Sequence, residues 1–119
     1  MNIMVHSFNR ASRLEGVLQH EVGTMLLKEI KDPGVSGLVT LMKTEVTRDL
    51  RHATFYISVL GNRKAQNKAM KGIKRAGGFI RTMLGKRLDM KRVPELHFKL
   101  DNSLDARAEI EELLAKIHD

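Results

Sequence analysis

The chain has no cysteine and no tryptophan, only two prolines, and aromatic residues at just 4% of its 119 positions. Without cysteine there is no disulfide and no thiolate metal site, which suits a reducing compartment. So few rings argue against gripping single strands by stacking bases on aromatic side chains. No apolar run approaches transmembrane length. The start, Met1-Asn2-Ile3-Met4-Val5-His6, lacks the charged head and apolar run of a secretory signal. There is no internal repeat, low-complexity linker or domain boundary, so one domain over residues 1–119 is expected, in the cytoplasm and off the membrane. A chain of this length buries about 65% of its unfolded surface, enough for one core without staples.

Acid is scarce where it matters. Between Arg63 and Arg92 stand Arg63, Lys64, Lys68, Lys71, Lys74, Arg75, Arg81, Lys86, Arg87, Lys91 and Arg92, and the one acid among them is Asp89. The formal charge of the whole chain is +7, which favours an anionic partner. The positive charge belongs to the middle. The tail from Asp101 to Asp119 carries Asp101, Asp105, Glu109, Glu111, Glu112 and Asp119 against Arg107 and Lys116.

Periodicity supplies the elements. Leu14, Leu18, Val22 and Met25 recur at helical spacing, with Ser12 or Asn9 as the cap, and Lys31-Asp32-Pro33-Gly34 ends this first helix. Its other side shows Arg10, Arg13, Glu15 and Gln19 to solvent. Val39–Thr47 and Ala53–Leu60 alternate as strands, and the short link Arg48-Asp49-Leu50-Arg51 predicts an antiparallel hairpin. A second helix runs from about Arg63 to Ala76, with Ala65, Ala69, Ile73 and Ala76 as its apolar face. Lys64, Lys68, Lys71 and Arg75 are spaced four, three and four apart and form a basic stripe, although like charges at that spacing repel. The helical pattern breaks at Ala76-Gly77-Gly78, where glycine would permit a sharp bend. It resumes as a third helix to about Leu88, packing through Phe79, Ile80, Met83, Leu84 and Leu88. Val93-Pro94 forces an extended approach to a last strand, Glu95–Leu100. A closing helix carries Ile110, Leu113, Leu114 and Ile117. The expected core comprises Leu14, Leu18, Val22, Phe55, Ile57, Ile73, Phe79, Ile80, Leu84, Leu96 and Phe98.

These elements describe an α+β domain with a three-stranded sheet and its helices mainly on one face. The candidate phosphate-binding residues are Lys64, Lys68, Lys71, Lys74 and Arg75 before the bend, and Arg81, Lys86 and Arg87 after it. Arg10 and Arg13 serve solvation and phosphate contact equally well. Taken alone, the basic run is explained as readily by a solvated surface as by a nucleic-acid interface.

Several motifs lead elsewhere. Gly34-Val35-Ser36-Gly37 is a literal GxxG, but it precedes a strand and reads as a turn. No phosphate-loop motif exists. His6, His20, His52, His97 and His118 are scattered, with no zinc spacing and none in an acidic cluster, so no metal site is expected. Nothing pairs a nucleophile with a base, so the chain does not read as an enzyme.

In order and at compatible spacing, certain landmarks resemble one family. They are Arg10-x-x-Arg13, Asp32-Pro33, Val46-Thr47-Arg48-Asp49-Leu50 with Ala53, and Ala76-Gly77-Gly78-Phe79-Ile80-Arg81. Leu84-Gly85, Val93-Pro94-Glu95-Leu96-x-Phe98 and Asp101-Asn102-Ser103-Leu104 complete the set. Together they are similar to ribosome-binding factor A, the bacterial small-subunit maturation factor, over about Arg10 to Leu104. The resemblance implies a KH-like fold of the type II arrangement, α-β-β-α-kink-α-β with a C-terminal helix. In this family an Ala-x-Gly interhelical kink, here Ala76, Gly77 and Gly78, replaces the usual GxxG loop. It also implies binding to immature 30S subunits and 16S rRNA and support of late maturation, including in the cold. A monomer without cofactor, released with the help of a GTPase factor, is the corresponding expectation. The competing reading is a general nucleic-acid binder of no ribosomal specificity.

Overall fold

The computed structural model describes residues 9–30, 39–101 and 113–117. Asp32-Pro33, the Gly34–Gly37 turn, Asn102-Ser103, Ile110 and the Glu111-Glu112 pair lie outside the described residues. The order is α1 (Arg10–Lys28), β1 (Val39–Val46), β2 (His52–Val59), α2 (Arg63–Arg75), α3 (Gly77–Arg87) and β3 (Glu95–Leu100). Residues 113–117 are helical. This is the α+β order that the sequence predicts.

Asn9, not Ser12, caps α1: its side chain accepts from the Ser12 amide at 2.9 Å. The helix ends at Lys28, before the proline, and Lys28 places a cation in the last turn, where the helix dipole favours one. Leu18, Val22 and Met25 are fully buried, while Leu14 is only partly so.

β1 departs from the simple alternation. Its register with β2 pairs Leu41 with Ile57 and then Lys43 with Tyr56, leaving Met42 as an extra residue in a bulge. Before the bulge Val39 and Leu41 face the core; after it Thr44 and Val46 do. Unbroken alternation would have aimed Lys43 and Glu45 inward along with Val39. The bulge reverses the phase and keeps both charges in water.

β2 lies in the centre of the sheet, antiparallel to β1 and parallel to β3. Ala53, Phe55, Ile57 and Val59 are buried on one face, and Phe98 from β3 joins them. α1 packs on β1, and α2 packs on β2 and β3. The helices therefore cover the face that carries the apolar residues.

The buried side of α2 is Gln66, Ala69, Met70, Gly72 and Ile73. Ala65, expected on that side, is exposed. Gln66 can be buried because its side-chain amide donates to the Val59 and Gly61 carbonyls, both at 3.3 Å. α2 and α3 are separate helices that meet at Ala76, which accepts from the Ile80 amide at 2.9 Å and donates to Gly72 at 3.1 Å. The bend does not draw on glycine's special backbone freedom: among the described glycines only Gly61, at φ 132°, has a positive φ. In α3, Ile80 and Leu84 are one turn apart and fully buried, whereas Phe79 is 46% exposed. One position off the buried stripe rotates Phe79 about 100° around the helix, away from the core. Leu113, Leu114 and Ile117 are also exposed.

Candidate nucleic-acid interface

Polar side chains of α1 complete the outer edge of the sheet. Glu15 accepts from the Val46 amide at 2.8 Å, and the Gln19 amide donates to the Leu41 carbonyl at 3.1 Å. Thr44, buried after the bulge, donates to the Gln19 side chain at 2.5 Å. Glu15 and Gln19 therefore belong to the helix–sheet contact, not to the solvent side expected for them. With β1 covered in this way, α1 is a fixed support for Arg10.

Two open grooves flank the start of β3. The first is formed by Lys74, Gly77, Gly78 and Arg81 on the helix side and by Glu95 to Lys99 on the strand side. The second gathers Arg10, Arg51, Arg81, Lys86, Lys91 and Arg92 around Pro94 and Glu95. Its acids are Asp49 and Glu95, so six cations face two carboxylates. Asp49 is already engaged: it accepts from the Thr47 hydroxyl at 2.7 Å and the Arg51 amide at 3.1 Å. These bonds, the hydroxyl first, hold its carboxyl below the usual value of 3.8. Arg81 and Glu95 line both grooves, so the basic lining continues from Lys74 to Arg10.

The loops that bring these charges together are held firmly. Pro94 is fully buried, which fixes the Lys91-Arg92 segment against the body. The Glu95 amide donates to the Arg51 carbonyl at 2.8 Å, tying the two strand starts side by side. Leu50 takes a left-handed backbone, φ 61°, in the turn that delivers Arg51.

The structure thus unites Arg10, Lys74, Arg81 and Lys86 with the kink residues Gly77 and Gly78. Lys64, Lys68, Lys71 and Arg75 are exposed on the side of α2 opposite its buried face and line neither groove, and neither does Arg13. Arg87 has another task. Its guanidinium forks onto both carboxylate oxygens of Glu29, one contact at 2.8 Å, and reaches Glu21 at 3.8 Å. It ties α3 to α1 instead of extending the patch.

Sequence reasoning did not name Arg51, Lys91 or Arg92 as candidates, although the last two belong to the basic run and precede the buried Pro94. It also read the histidines as free of acidic neighbours. The parallel pairing of β2 with β3 corrects this: His52 faces Glu95 in register and His97 stands two residues further along β3. The His52 and His97 ring nitrogens are 3.0 Å apart, and Glu95 is 3.6 Å from His52.

The ribosome-binding factor A family model matches residues 10–114. The chain belongs to the ribosome-binding factor A family. A ribosome-binding factor A from Caldanaerobacter subterraneus is 38% identical over 109 residues, 92% of this chain and 89% of that protein. The crystal structure of ribosome-binding factor A from Thermus thermophilus superposes with a TM-score of 0.67 at 20% identity, covering 78% of this chain and 97% of that one. A Thermus thermophilus ribosome binding factor A homology model, fitted into a cryo-EM map of a 30S complex, gives a TM-score of 0.63 at 21% identity. It covers 76% of this chain and 93% of its own. These two structural likenesses bear on the fold. Among the described residues, no helix is long and apolar enough to cross a membrane.

Proposed function

We propose that this chain is a ribosome assembly factor that binds immature 30S subunits through 16S rRNA and supports late small-subunit maturation, including in the cold. It acts as a cytoplasmic monomer without catalysis, and a GTPase factor assists its release. The observation that carries the reading is Arg81, which joins two grooves into one cationic surface across the α2–α3 bend. Membership of the family supports the ribosome as partner, and the Thermus relative's 30S complex supports the small subunit.

The chemistry suits a folded RNA backbone. Arg10, Arg51, Arg81 and Arg92 offer forked donors for adjacent phosphate oxygens, while Lys74, Lys86 and Lys91 act as point charges. α3 begins without a side-chain cap, and Gly77 and Gly78 at its start line the groove. A phosphate can therefore approach the helix N-terminus, where amide hydrogens and the helix dipole favour an anion. With so few rings available, recognition rests on shape and backbone contacts.

The test is cosedimentation with immature and mature small subunits. Binding to the immature particle and depletion from the mature one is the expected result, with Arg81→Glu weakening the first. Equal affinity for naked duplex or single strands would make the protein a general nucleic-acid binder.

A further inference from the structure

We propose that His52, Glu95 and His97 form a binding site for a borderline divalent cation of the Zn2+ class. The three lie on the sheet face away from the core, delivered by adjacent strands in register, and their ligating atoms are all within 4.8 Å of one another. Two imidazoles and one carboxylate are a donor set that zinc uses in sites with an open coordination position. Zinc bonds of about 2.0–2.1 Å at tetrahedral angles place neighbouring donor atoms roughly 3.3 Å apart. The observed separations, 3.0 Å between the rings and 3.6 Å from His52 to Glu95, bracket that value. The third edge, His97 to Glu95, is no longer than 4.8 Å, and the His52 and Glu95 side chains, 46% and 66% exposed, have room to turn toward an ion.

The backbone beneath is fixed. The Thr47 amide donates to the His52 carbonyl at 3.0 Å, the His52 amide donates to the Thr47 hydroxyl at 3.1 Å, and Glu95 is bonded to Arg51. Donors carried on paired strands need little reorganisation to close on an ion. His52 Nδ1 lies 3.0 Å from His97 Nε2 and 3.6 Å from a Glu95 carboxylate oxygen, so the ring contact and the His52–Glu95 ion pair converge on one nitrogen. A cation uses all three side chains.

The experiment is a zinc titration of the untagged full chain by calorimetry, with cobalt(II) as an optical probe and thermal melts in parallel. The expected result is saturable binding of one ion per chain, intense tetrahedral cobalt absorption, and a rise in melting temperature with zinc. His52→Asn and His97→Asn should each abolish all three signals while circular dichroism stays unchanged. Glu95→Gln should weaken binding by about tenfold or more, as loss of even an outer partner of a metal ligand does. Absence of saturable binding overturns the proposal. So does wild-type binding by the double His52→Asn, His97→Asn variant, which would place the ion on His6, His20 or His118. The readout is the metal alone and does not depend on RNA binding.

Discussion

Phe98 stacks on Phe55 with ring centroids 5.4 Å apart, and the pair joins β3 to the central strand beneath α2. Phe98 is 8% exposed, so Phe98→Ala should cost about 3–5 kcal/mol, measured by urea denaturation. A cost below about 1 kcal/mol would mean that β3 contributes little to the core. Both rings were legible as core from strict alternation in their strands. Arg87 was not legible: in the basic run it looks like its neighbours, and its partner Glu29 lies 58 residues away in sequence. Arg87→Ala should therefore loosen α1 from α3 and lower the melting temperature while leaving the salt dependence of RNA binding unchanged. The pair also carries a pH signature. The hydrogen bond from Arg87, before the charge of Arg87 and Lys28, holds the Glu29 carboxyl below its ordinary 4.5. A lowered folded-state value adds stability that is present above 4.5 and lost as pH falls through the folded value. Wild type should be more stable than Glu29→Gln at neutral pH, with the gap closing well below pH 4.5 in acid denaturation. A gap that persists in acid would assign the loss to packing.

At the scale of elements, the bend was visible in the sequence and its cause was not. Ala76-Gly77-Gly78 marks the break, yet neither glycine there has a positive φ. A Cβ at Gly77 would meet Phe98 at an ordinary 3.7 Å, and one at Gly78 would meet nothing within 4 Å. The backbone therefore does not require glycine at either position; on the proposed function, the small residues keep the groove open to an approaching phosphate. Gly78→Ala is expected to leave the fold intact, with a gain of up to about 1 kcal/mol from a stiffer unfolded chain. On the proposed function, the same change weakens binding to immature subunits, because the methyl group fills the space above the start of α3. Unchanged affinity would show that RNA does not touch this helix end. The β1 bulge was only half visible: Lys43 and Glu45 on the alternating face of Val39 and Leu41 signal a change of phase, and the register against β2 places the extra residue at Met42. The partners of Glu15 and Gln19 were hidden, because helical periodicity shows which residues are polar and not what they bond across 31 or 22 positions.

For the whole molecule, the proposed function asks which basic surface meets the phosphates. Charge counting found the cationic middle of the chain but could not divide it. The fold divides it into an outer stripe, Lys64, Lys68 and Lys71 on exposed α2, and a grooved surface that includes Arg81, Lys91 and Arg92. Both carry like charge on exposed side chains, so long-range attraction alone would treat them similarly. Close contact would not, because a groove brings several cations to one stretch of backbone and a convex helix side brings few. Two triple variants separate the cases: Arg81, Lys91 and Arg92 to glutamate, and Lys64, Lys68 and Lys71 to glutamate. Each changes net charge by the same amount and leaves the buried residues untouched, so circular dichroism should match wild type. In the stripe variant, the new acid at position 64, in the first turn of α2, also suits its dipole. Each lost phosphate contact lowers the slope of log affinity against log salt by about 0.7–0.9 in magnitude. The groove variant is expected to lose both affinity for immature small subunits and a slope of roughly 2–3 in magnitude, as three contacts would. The stripe variant should lose some affinity at low salt and keep a slope near that of wild type. The reverse pattern would move the interface to the outer side of α2. Equal loss in both would mean that RNA wraps the helix and the grooves together.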